Sequence, residues 1–112
     1  MGKVYAEVDK KDLIPFNEWS KDRILNNYKH CTSRHKRYSK DIRVQYITPK
    51  LPWWLIKNYF WKAEGAYSPN ELQEVIETIY KREVSDDEMF YVHFGNFRSS
   101  LKATRQSKEE IE

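Results

Sequence analysis

The chain has a single cysteine, Cys31, among its 112 residues. A lone thiol excludes an internal disulfide and fits a reducing compartment. No stretch comes near the roughly 20 apolar residues that a membrane-spanning helix needs. The opening MGKVYAEVDKKD also lacks the apolar h-region of a secretory signal. A cytoplasmic protein away from the membrane is therefore expected. The three histidines, His30, His35 and His93, do not have the spacing of a zinc site, and Cys31 beside His30 cannot make one alone. No metal and no cofactor is expected. There are no internal repeats and no low-complexity tracts, so the length reads as one compact domain with a single core, taken as a monomer.

What the chain does have is aromatic area and charge. Eight tyrosines, five phenylalanines and four tryptophans supply large apolar surfaces for a core. The net charge of +3 hides a polarity along the sequence. From Lys21 to Lys50 nine basic residues face two acidic ones, a local +7, whereas from Glu64 to Glu88 eight acids face two bases, a local −6. This asymmetry fits one surface suited to a polyanion and another turned away from it, or two halves that neutralise each other in the fold.

Periodicity divides the chain into elements. Lys3 to Val8 alternates in polarity as a strand does. In NEWSKDRILNNYKHCTSR, Trp19, Arg23, Ile24 and Tyr28 recur at helical spacing, and Asn26 with Asn27 makes the turn. The KHCTSR that follows, if extended, sends Lys29, Cys31 and Ser33 to one side and His30, Thr32 and Arg34 to the other. His35 to Lys40 reads as a basic loop, and Asp41 to Thr48 as a strand ended by Pro49. LPWWLIKNYFWKAEG predicts a helix from Pro52, apolar over much of its circumference and stopped by Gly65. Ser68, Pro69 and Glu71 form a helix-start signal, followed by the stripe Leu72, Val75, Ile76 and Ile79. Asp86 and Asp87 turn the chain into a last strand, Met89 to Phe94. The order is strand, helix, strand, strand, helix, helix, strand, an α+β class in which helices cover the sheet.

Two of these runs carry a family likeness. ILNNYKHCTSR resembles the signature of the ASCH domain family, approximately Ile-Leu-x-Gly-x-Lys-x-x-Thr-x-Arg, and AEGAYSPNELQEVIETIY with EMFYVHF resembles its second signature. Together they cover most of residues 13 to 97. The resemblance implies an α+β fold, a small PUA-like β-barrel of about five strands with helices packed at its mouth. The domain is expected over residues 1–98, with 99–112 as a frayed tail. Two features depart from the pattern. Asn27 stands where the signature has glycine, and only ten residues separate Asp41 from Pro52, which implies an abbreviated barrel and a more open cleft.

The resemblance further implies RNA or nucleotide binding in a pocket at the barrel mouth, with RNA or a modified nucleoside as partner. An alternative comes from similar bacterial members that hydrolyse the amide of N4-acetylcytidine. It assigns Lys29, Thr32 and Glu64 as base, nucleophile and acid, with Arg34 holding a carboxylate or the developing oxyanion. A further alternative, ribonuclease activity, lacks a supporting histidine pair here. His35, Lys36, Arg37 and Lys40 are the residues expected to meet phosphates. Each assignment has a plainer counterpart. Thr32 can be an ordinary strand residue, Arg34 and Glu64 a structural ion pair, Cys31 an inert buried thiol, and Trp53, Trp54, Tyr59 and Trp61 core aromatics instead of base-stacking ones.

Overall fold

The computed structural model describes residues 9–98. The expected strand at Lys3 to Val8 and the expected tail at 99–112 lie outside the described residues. After a short 3-10 turn at Lys10–Asp12 come helix α1 (Glu18–Leu25), strands β1 (Cys31–Arg34) and β2 (Val44–Pro52), helices α2 (Trp53–Tyr59) and α3 (Pro69–Tyr80), and strand β3 (Met89–Gly95).

The sheet has the order β1-β3-β2, antiparallel throughout, so the last strand in sequence is the central one. Thr32 pairs with His93 and Arg34 with Tyr91 on one side, and Leu51 with Phe90 on the other. The α+β class is as expected, but a barrel of about five strands is not seen among the described residues. Among the described residues the sheet has three strands and does not close, and all of 44–52 forms one strand without a further hairpin.

Pro49 does not end β2 as its chemistry led us to expect. The register slips between Ile47 and Lys50, and Pro49 sits in that bulge on an edge strand, where no ladder donor is needed. At the bulge the Thr48 hydroxyl accepts the Val92 N–H at 3.0 Å and donates to the Pro49 carbonyl at 2.7 Å.

Helix ends follow local chemistry. Asn17 caps α1 by accepting the Ser20 N–H at 2.8 Å, and Asn27 leaves it with φ 64°. Ser68 caps α3 through the Glu71 N–H, while the Glu71 carboxylate reaches one residue further back than a capping box does, to the Tyr67 N–H. Helix α2 is shorter than the sequence led us to expect and is buried on one side only. Trp53 and Ile56 are inside, while Trp54 and Tyr59 are exposed.

Two apolar clusters hold the fold. The larger joins Trp53 and Ile56 of α2, Leu72 and Ile76 of α3, and Cys31, Phe90 and Val92 of the sheet. The smaller joins Ile14, Ile24 of α1 and Phe97. The second is tied to the sheet by Asp41 and Arg43, whose side chains bind each other and both polar groups of the Ile14 backbone.

Candidate functional site

The stretch joining α2 to α3 runs back along the start of β1. Ala63 O accepts the His30 N–H at 2.7 Å, and Lys29 and Glu64 form an antiparallel bridge. Gly65 makes the crossing possible. Its φ is +94°, and a Cβ there would stand 2.9 Å from the Cβ atoms of both Arg23 and Lys29. Two residues 35 apart in sequence therefore meet inside the protein. Lys29 Nζ donates to Glu64 Oε1 at 2.8 Å and to the Glu64 carbonyl at 3.1 Å, and Ser33 Oγ donates to Oε2 at 2.5 Å. Lys29 and Glu64 are both almost wholly buried. The ion partner of Glu64 is thus Lys29 and not Arg34.

Strand alternation decides what lies beside this pair. Lys29, Cys31 and Ser33 share the side that meets Glu64. Burial pushes the Cys31 thiol well above its ordinary value, with Glu64 adding to the rise and Lys29 opposing it, so the thiol stays protonated. Thr32 and Arg34 share the other side, and Arg34 Nε donates to Thr32 Oγ1 at 3.2 Å. Behind them lies His93, fully buried, whose Nε2 accepts the Tyr38 N–H at 2.9 Å. An accepting nitrogen carries no proton, so the ring is neutral with its hydrogen on Nδ1, facing Thr32 O at 3.4 Å. Burial lowers the His93 pKa accordingly.

A cleft of about 380 Å³ opens over these residues. Lys29, Thr32, Ser33, Arg34 and Glu64 line it, so the four residues singled out in the sequence, from two separate segments, share one concavity. One wall is Pro15, Phe16, Asn17, Trp19 and Ser20, from the approach to α1 and its first turns. The facing wall is Leu72, Val75, Ile76, Ile79 and Tyr80 of α3. Aromatic rings face an aliphatic stripe above a charged floor.

The basic loop is not part of that lining. His35 is engaged elsewhere. It contacts Glu88 at 2.6 Å and stacks on Phe90 at 4.5 Å between centroids. Lys36 reaches Lys11 O and covers the Tyr38 ring, while Arg37 and Lys40 are on the surface. Among the described residues no three His, Cys, Asp or Glu side chains gather as metal ligands do, and no helix is long and apolar enough to cross a membrane.

No family model matches the chain, and no curated protein and no solved structure matches it either. The site therefore rests on its own geometry. Sequence reasoning missed Ser33 as the second partner of Glu64, although its place on the same side as Lys29 was the available signal. It also missed the walls. Trp19 and Ile79 read as core-facing positions, and nothing local in the sequence announces that a gap separates α1 from α3.

Proposed function

We propose that the chain is a nucleotide- or RNA-binding protein of the ASCH, PUA-like kind, and that the cleft between α1 and α3 takes a nucleoside-sized group. The observation carrying this reading is the combination of size and lining. A volume of about 380 Å³ falls at the small end of ligand pockets, and apolar walls over a few convergent polar groups suit a planar heterocycle with a polar edge. Phe16 and Trp19 offer ring faces for it. Lys36, Arg37 and Lys40, outside the cleft, are available to phosphates of a longer RNA. The lone thiol, buried and inert, is compatible with a reducing, cytoplasmic setting.

A second reading, amide hydrolysis of N4-acetylcytidine, is favoured by one observation: Lys29, Thr32 and Glu64 border the same cleft. In that chemistry Thr32 Oγ bonds to the acetyl carbon as a base takes its proton. The C–N bond breaks as the cytosine nitrogen is protonated, and water then releases acetate from the acyl-threonine. Lys29 Nζ and Glu64 Oε1 lie 2.8 Å apart, and this reading gives the base to Lys29 and the acid to Glu64. The test is to incubate the purified chain with N4-acetylcytidine, follow cytidine by chromatography, and titrate binding in parallel. Hydrolysis predicts that Lys29→Ala, Thr32→Ala and Glu64→Gln each lower turnover by orders of magnitude. Binding without acetate release leaves recognition as the function, and neither binding nor turnover removes the nucleoside from both readings.

A further inference from the structure

Among the described residues lining the cleft, three are charged: Lys29, Arg34 and Glu64. Both Glu64 oxygens are engaged, one by Lys29 and the other by Ser33. The pair cancels and Arg34 is left as a single uncompensated positive charge. Its side chain makes one hydrogen bond among the described residues, from Nε to Thr32. Both Nη atoms are without a bonded acceptor there, yet no fully buried polar side-chain atom lacks a partner. The Nη atoms are therefore not fully enclosed, and Arg34 is one of the residues that line the cleft. The head is also held in place, since its carbon lies 5.4 Å from the centroid of Phe16 and Nε is fixed by Thr32. Burial pulls its pKa below the ordinary value, with Glu64 opposing, but a guanidinium in a protein remains charged.

A mostly enclosed cation with a free planar fork is unfavourable in the empty protein and becomes favourable when an oxyanion is placed against it. We infer that the ligand of this cleft is itself an anion, whose carboxylate or phosphate oxygens dock on Arg34 Nη1 and Nη2 while its planar body lies between Phe16 and Trp19 on one side and the stripe of α3 on the other. The inference rests on the nucleoside reading above and narrows it, from neutral nucleosides to ligands with one negative group. A lone positive charge suits a carboxylate or a phosphate monoester, and the rigid fork suits either in bidentate contact.

Calorimetric titration of the full chain with N4-acetylcytidine, with its 5′-monophosphate and with sodium acetate separates the possibilities. If the anion is a phosphate, the monophosphate binds roughly tenfold or more tighter than the nucleoside. If it is a carboxylate, acetate binds alone and the phosphate brings no gain. In either case Arg34→Gln collapses the preference for the anion towards unity, and Arg34→Lys, which keeps the charge but not the fork, restores only part of it. Circular dichroism of both variants establishes that they fold, and if Arg34→Gln does not, Arg34→Lys decides. A nucleoside that binds with no anion preference overturns the inference and leaves the nucleoside reading standing. An anion preference that survives both substitutions overturns the assignment to Arg34, and failure of all three probes to bind overturns inference and reading together.

Discussion

Arg34 and Arg43 lie against the same ring, each guanidinium carbon 5.4 Å from the centroid of Phe16. Arg43 also packs over Phe97, but the difference that matters is in their polar partners. Arg43 donates through Nε and Nη2 to the Asp41 carboxylate at 2.9 and 2.7 Å, and through Nη2 to Ile14 O at 2.9 Å. Asp41 in turn accepts the Ile14 N–H, which staples the segment before α1 to the start of β2. Arg34 has Thr32 and, beyond that, the cleft. Residue type, aromatic neighbour and distance are shared, so these do not distinguish a folding role from a binding role. The degree of saturation does.

Removing Asp41 breaks this contrast most severely. Asp41→Ala leaves Arg43 buried without its carboxylate and the Ile14 N–H without an acceptor, and stability falls by roughly 3–5 kcal/mol. That is a large part of the total for a domain of this size. Arg34→Gln, which removes a charge that no described carboxylate pairs with, changes stability by less than about 1 kcal/mol. Urea denaturation of both variants measures the difference. Equal losses would mean that both arginines are structural.

Gly65→Ala ranks next. Forcing a side chain onto φ +94° costs about 1–3 kcal/mol. The new Cβ also presses on Arg23 and Lys29, so α1 and the cleft floor are driven apart. Stability and ligand affinity fall together. If denaturation shows the loss while titration shows unchanged affinity, the crossing at residue 65 does not shape the cleft.

The smallest effect is a pH dependence. Burial raises the Asp41 pKa, but the Arg43 side chain and the Ile14 and Arg43 N–H groups outweigh it and hold the group below its ordinary value of 3.8. A depressed carboxylate binds fewer protons folded than unfolded. Its contribution is therefore full above about pH 4 and lost as the pH falls through the folded value. Glu88, held at about 2 by its bonds to Arg82 with His35 assisting, gives a background slope in the same acid range. Thermal melts between pH 2 and pH 5 should show a shallower loss for Asp41→Asn than for the parent, and parallel curves would assign the acid sensitivity to other depressed carboxylates such as Glu88 and Glu77.

Much of the framework was legible because it is local. Asn17, Asn27, Ser68 and Pro69 act within a turn of themselves, and the alternation in KHCTSR already separated the Lys29 side from the Arg34 side. The ladder was harder to read. Pro49 argues against a strand on its own chemistry, and only the Thr48 hydroxyl, which reaches Val92 across the sheet, lets the pairing continue past it. The expected barrel had no counterpart in the described residues, since closure depends on strands that a local pattern does not count. Glu64 was reached through a family likeness, but its partner was not, because a carboxylate meets whichever cation the crossing at Gly65 delivers. For the basic loop, charge alone did not reveal that His35 is bound to Glu88.

The central position of β3 sets the order in which the site can come into being. Strands β1 and β2 border it on either side and do not pair with each other, yet β3 is the last of the described elements along the chain. While the protein emerges from the ribosome, Cys31–Arg34 and Val44–Pro52 are two open edges without a template, and contacts as distant as Thr32 to His93 must wait. Until Met89–Gly95 is threaded between them, those edges are available to other chains. A nascent chain stalled before residue 89 therefore has the residues of the cleft floor, Lys29 to Arg34 and Glu64, but no sheet to hold them in place.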